Sequence, residues 1–129
     1  MHALQITSCL FATVVVTAYY AQCVFYHHMF LLVTVFSIWF HCTHHPWIAL
    51  IDKVLAQTAF ILVIWIDFPR LMHAKLWLTV FPSTVLLLWI WESLLLTPQQ
   101  QDWKDPIHLC LHIVSILGLH CFLWQLYLM

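Results

Sequence analysis

The sequence predicts an all-α protein, a polytopic transmembrane helix bundle with about five spanning helices. Three observations carry that expectation. Of 129 residues, 64% are hydrophobic and 7% charged, with one glycine; soluble surfaces are roughly a quarter to a third charged, so this chain uses the bilayer as its solvent. The apolar residues also fall into runs near the ~20 residues that cross a bilayer, parted by short polar or proline-bearing breaks. Finally, Tyr26, Trp47, Trp65, Trp77, Trp91, Trp103 and Tyr127 lie near the ends of those runs, as an interfacial aromatic belt would.

The first expected span is 4–26, from Leu4 through Val14-Val15-Val16 to Tyr26. No basic cluster precedes it and no small-residue cleavage site follows, so it reads as a membrane helix rather than a cleaved signal peptide. His27-His28 mark a turn, and 29–43 form a short second span. His44-His45-Pro46 close it, with Pro46 placed to start a third helix over 47–66. The next break runs from Asp67 through Arg70 to Lys75, and 76–96 give a fourth span, bent near Pro82 because an interior proline removes a backbone hydrogen bond. Thr97–Pro106 is the clearly polar loop, and 107–129 make the fifth span. Residues 1–129 thus read as a single transmembrane domain without repeats, heptads or low-complexity tracts.

A formal net charge of −1 and the absence of a basic run exclude nucleic acid as a partner. The partner is the lipid bilayer; oligomerisation stays open. Cys9, Cys23, Cys42, Cys110 and Cys121 form no Cys-x-x-Cys and read as buried thiols packing like small hydrophobes. Lys53 and Lys104 on the N-terminal side nearly balance Arg70 and Lys75 on the other. With so level a score, the N-terminal side is read as lumenal or exoplasmic.

Five alternating spans bring particular polar residues to one side. His41 lies near the N-terminal-side end of span two, with Ser37 one turn deeper. Asp52 is about two turns into span three, and His108 and His112 occupy the first two turns of span five. At 1.5 Å of rise per residue, all five fall within about 10 Å of one another in depth. Ionisable groups inside a membrane are costly and mark a functional site by default.

Residues four apart share a helix face, so His108 and His112 can offer two imidazoles to one ion, and His41 a third. Three neutral ligands with an open fourth position describe a catalytic zinc site. Asp52 then serves as general base or as the acceptor that orients water, and Ser37 as a donor to a developing oxyanion. Ordinary explanations compete. Among ten histidines a His-x-x-x-His pair arises by chance about once, and His41/His45 is another. His2, His27, His28, His44, His45 and His73 read as wetted interfacial residues, and Glu92 as a headgroup-level one in preference to a distant orienting carboxylate. His120 reads as a hydrogen-bonded packing residue. Taken alone, Ser37 would bond its own helix carbonyl, and Asp52 would pair with Lys53 or cap a helix end.

These motifs resemble the alkaline ceramidases and the wider CREST superfamily of membrane hydrolases. The ceramidase pattern is a serine, then Phe-His-x-Thr, then an aspartate eleven residues past that histidine; here it is Ser37-Ile-Trp-Phe40-His41-Cys42-Thr43 followed by Asp52. The family's last helix carries His-x-x-x-His-Ile and, further on, Leu-Gly, matched by His108 to Ile113 and Leu117-Gly118. The resemblance implies that His41, His108 and His112 bind zinc and that Ser37 and Asp52 assist catalysis. It further implies a ceramide-like membrane lipid substrate cleaved to sphingoid base and fatty acid, in the endoplasmic reticulum or Golgi. The chain departs from the family in having five spans instead of seven, Lys53 where an acidic residue often stands, and no acidic residue before Ser37 for a calcium site. One span rather than three then separates Asp52 from His108, which keeps both motifs on one side.

Two other readings remain. His28 and His41 on span two, with His108 and His120 on span five, could ligate two b-type haems for electron transfer. Alternatively, the chain is a catalytically inactive CREST-like membrane protein that keeps the motif without turnover.

Overall fold

The computed structural model describes residues 2–74 and 76–128; the side chains of His2 and of residues 72–75 lie outside the described set, and with them the readings made for His2, His73 and Lys75. The described chain is all α-helical in class, without strands. Five helical segments are long and apolar enough to cross a membrane: Ala3–Tyr20, Val24–Thr43, Pro46–Leu71, Leu76–Leu95 and Pro98–Leu128.

Helix α1 (His2–Tyr20) buries Leu4, Phe11, Val14, Val15 and Ala18, spaced to form one helical face. It ends earlier than the first expected span. Gln22 adopts the left-handed conformation (φ 60°), and the Cys23 N–H bonds back to the Ala18 carbonyl at 2.9 Å, a Schellman-type stop. The turn is therefore at Ala21–Cys23, and His27 and His28 lie within α2 (Val24–Thr43). Tyr26, expected in the aromatic belt, is buried instead. At the other end of α2, His44 is left-handed and returns its N–H to the Phe40 carbonyl. His45 Nδ1 then accepts from the Trp47 N–H at 3.3 Å, and Pro46 opens α3 (Pro46–Leu62), as its position in the sequence requires.

The third crossing does not stop at Ile66. A π-helical turn, Val63–Asp67, joins α3 to α4 (Phe68–Ala74). Pro69 can give no N–H and would crowd the Trp65 carbonyl in a regular helix; the wider turn accommodates it without ending the segment. Asp67 is consequently a buried helical residue that accepts hydrogen bonds from the Tyr26 hydroxyl and the Arg70 guanidinium. In the fourth crossing a 3-10 turn (Leu76–Thr79) leads into α5 (Val80–Ile90), and Trp91–Leu95 is π-helical. Pro82 sits in the first turn of α5, so the irregularity it requires falls ahead of it rather than as a mid-span bend. The polar loop is also more ordered than expected. Pro98–Trp103 form a 3-10 turn, anchored by the Thr97 N–H donating to Gln100 Oε1 at 3.2 Å, and α6 (Lys104–Leu128) starts two residues before Pro106.

Helix α1 packs against both α2 and α6, α3 against α2, and α5 against α6, while α4 leans back onto α6. The core lies between α1, α2 and α6, where Val14, Ala18, Phe30 and Leu123 are buried. Gly118 allows α5 to approach α6 closely, because a Cβ there would lie 2.7 Å from Phe81 Cβ. Large apolar residues such as Trp65, Leu87 and Leu94 face outward, the surface expected where hydrocarbon is the solvent. Cys9, Cys42 and Cys110 also face outward and Cys23 and Cys121 are half-buried, so the cysteines are not the buried thiols the sequence suggested.

Candidate metal centre

Three rings meet between α2 and α6. The ring centroids of His41 and His108 are 5.6 Å apart, those of His41 and His112 5.5 Å, and those of His108 and His112 4.6 Å. One nitrogen from each lies within 4.8 Å of the others, so the three could hold a metal ion. His108 and His112 meet because they are one turn apart on α6, and α1 brings α2 alongside α6 by packing against both.

The surroundings of the rings differ. His41 is 2% exposed, and neither of its ring nitrogens has a hydrogen-bond partner among the described residues. A buried polar atom without a partner is costly, and such groups call for a specific explanation. His112 Nδ1 lies 2.9 Å from Thr7 Oγ1, and its ring stands edge-on to Phe11 at 5.5 Å. His108 Nδ1 lies 3.0 Å from one Glu92 carboxylate oxygen and 2.9 Å from the other. Glu92, read from sequence as a headgroup-level residue, is thus turned inward; its side chain is 11% exposed. The π-helical turn that carries it shifts the helix face by changing the residues per turn.

Ser37 is buried one turn from His41, and its hydroxyl pairs with Ser8 Oγ at 3.0 Å rather than with its own helix carbonyl. Gln5 donates to the His41 carbonyl at 3.0 Å, satisfying one of the acceptors left open in the last turn of α2. Asp52 stands in the second turn of α3, half-buried, and makes no hydrogen bond or ion pair, with Lys53 or any other described residue. The structure therefore groups the three histidines, places Ser37 on a hydroxyl pair beside them, and leaves Asp52 on the neighbouring helix with its carboxylate uncommitted.

Gln5, Thr7 and Ser8 are not singled out by the sequence as part of the site, and Glu92 is offered there as an orienting carboxylate only second to its headgroup-level reading. The signal was present: three polar residues in the first turns of an apolar helix, at the depth of His41, are the kind of intramembrane polar group that seeks a partner.

The remaining histidines behave differently. His27 Nδ1 meets the Val15 carbonyl and His28 Nδ1 the Val24 carbonyl. His120 has both ring nitrogens engaged, each 2.9 Å from the hydroxyl of Thr13 or Thr17, as a packing residue would. That leaves it no free lone pair for haem iron, which weighs against the two-haem arrangement. Comparison of the chain with protein-family models, curated proteins and solved structures returns no match.

Proposed function

We propose that this chain is a small zinc-dependent membrane hydrolase that cleaves a lipid amide, with ceramide to sphingoid base and fatty acid as the specific reaction. The observation that carries the reading is the buried His41 ring, its two nitrogens without a partner among the described residues, facing two further imidazoles. Three neutral imidazoles suit zinc, whereas calcium and magnesium take oxygen ligands.

His41, His108 and His112 would hold the ion, which when bound supplies Lewis-acid polarisation of a carbonyl and acidifies water. The carboxylate of Asp52, without a partner among the described residues, takes a proton from the attacking water and returns it to the leaving amine nitrogen. Water adds to the amide carbonyl carbon, the carbon–nitrogen bond breaks, and one carboxylic acid and one amine result. The Ser37 hydroxyl donates to the oxyanion that develops on the carbonyl oxygen, with Ser8 holding it in place. An amide substrate with long acyl chains fits a bundle whose outer surface is apolar, since its chains remain in the hydrocarbon while the amide reaches the polar layer. By resemblance to the alkaline ceramidases, an endoplasmic reticulum or Golgi membrane is the proposed location.

The test is turnover by the detergent-purified chain presented with ceramides and other lipid amides. Release of free fatty acid and sphingoid base, lost with a chelator and restored by zinc, is the expected outcome. No metal-dependent turnover on any lipid amide would contradict it and favour an inactive protein with the same motif.

A further inference from the structure

Two of the three clustered imidazoles are held from behind, and both are held through the same atom. His108 reaches Glu92 through Nδ1 and His112 reaches Thr7 through Nδ1, which leaves Nε2 of each for the space shared with His41. A neutral imidazole has one N–H and one lone pair, so the identity of the bonded group decides which nitrogen can bind a metal.

At His108 the partner is a carboxylate, an acceptor, so Nδ1 carries the proton. At His112 the partner is a hydroxyl, which could take either role. The direction is set by the α1 backbone. Thr7 Oγ1 lies 3.1 Å from both the Ala3 and the Leu4 carbonyl oxygens, and carbonyls only accept. The single hydroxyl proton goes to that carbonyl pair, and the oxygen is left to accept from His112 Nδ1–H. If Thr7 donated to His112 instead, two carbonyl oxygens would face a third oxygen with no proton between them.

We propose that Thr7 and Glu92 are positioning residues that hold His112 and His108 as Nδ1–H tautomers, so that both present the Nε2 lone pair to the ion shared with His41. The assignment of the shared space to a metal rests on the function proposed above; the tautomers themselves do not. Thr7 is 6% exposed and comes from α1, which supplies no ligand to the triad among its described side chains, so Thr7 acts on the site through its hydrogen bonds. Glu92 does the same from the fourth crossing, where a π-helical turn brings it to His108. Orienting partners of this kind are worth about 10–100-fold in metal affinity.

Two measurements on this 129-residue chain in detergent test this. In the first, zinc affinity is read by chelator competition. Thr7→Val, which keeps the side-chain shape but cannot accept, and Glu92→Leu should each bind zinc about 10–100-fold more weakly than wild type. Thr7→Ser and Glu92→Gln, which retain an acceptor oxygen, should recover most of that loss; a merely structural role would not follow acceptor capacity. Thr7→Val and Glu92→Leu binding zinc as tightly as wild type, while His41→Ala binds none, would overturn the positioning role and leave the triad standing. In the second, imidazole 15N shifts of the metal-free wild type are read, a measurement that needs neither zinc nor a folded variant. Nδ1–H forms at His108 and His112 are expected, and predominant Nε2–H forms would overturn the proposal.

Discussion

His41 and His112 come from distant parts of the chain, yet their rings stand 5.5 Å apart at an interplanar angle of 75°. Among the described residues His112 has a hydrogen-bond partner, whereas His41, likewise buried, has none. That asymmetry suits a pair of ligands in which one is oriented by the protein and the other is fixed by what it binds. Under the proposed function Asp52 and Ser37 take part in chemistry and not in metal retention, and the two roles separate by experiment.

Asp52→Asn should retain zinc and lose about 10²–10⁴-fold in turnover, the usual contribution of a general base. Measuring metal content and kcat on one preparation checks both halves. Loss of metal in this variant would make Asp52 part of the ion site instead.

Ser37→Ala should likewise retain zinc, with turnover reduced by about 10²–10³-fold as for a lost oxyanion donor. Ser8→Ala, which removes the hydroxyl 3.0 Å behind Ser37, should fall in the same direction by less. Equal activity in Ser37→Ala and wild type, measured under substrate saturation, would remove the serine from the mechanism.

Gly118→Ala tests the packing of α5 on α6. The added Cβ would lie 2.7 Å from Phe81 Cβ and 3.0 Å from its Cγ. Phe81 Cβ is fixed to the backbone, so a helix must shift, at a cost of about 1–3 kcal/mol. A lower thermal midpoint by circular dichroism is expected; an unchanged midpoint would mean the helices are not so closely apposed.

Tyr26→Phe tests the polar cluster at the other end of the bundle. The ring stays stacked on Phe30, but the buried Asp67 carboxylate loses one donor and keeps Arg70. Destabilisation of about 1–3 kcal/mol is expected, with zinc content unchanged because this cluster lies at the far end of α2 from His41.

Much of this was legible in the sequence, for reasons that differ by residue. The crossings follow from hydropathy, and their alternation was enough to bring His41 to the same end as His108 and His112. Pro46 marked a helix start because its missing N–H is harmless there. The misplaced features were those where backbone geometry overrides composition. Gln22 takes a left-handed position usually filled by glycine, so the polar His27-His28 pair looked the better turn. Pro69 suggested a break at Asp67, but a π-helical turn absorbs it and carries the segment on. The inward face of Glu92 likewise depends on local winding that no periodicity reports. Thr7 and Ser8 were hidden for another reason: a hydroxyl in an apolar helix usually bonds its own backbone, and Thr7 does so while also meeting His112.

Elemental analysis of the detergent-purified chain, beside His112→Ala prepared identically, tests the central claim most directly. Three ligands are the minimum for a catalytic zinc site, so the account predicts about one zinc per wild-type chain and none in the variant. A wild-type chain that takes up no metal when zinc is supplied, or a His112→Ala chain that keeps a full complement, would contradict it.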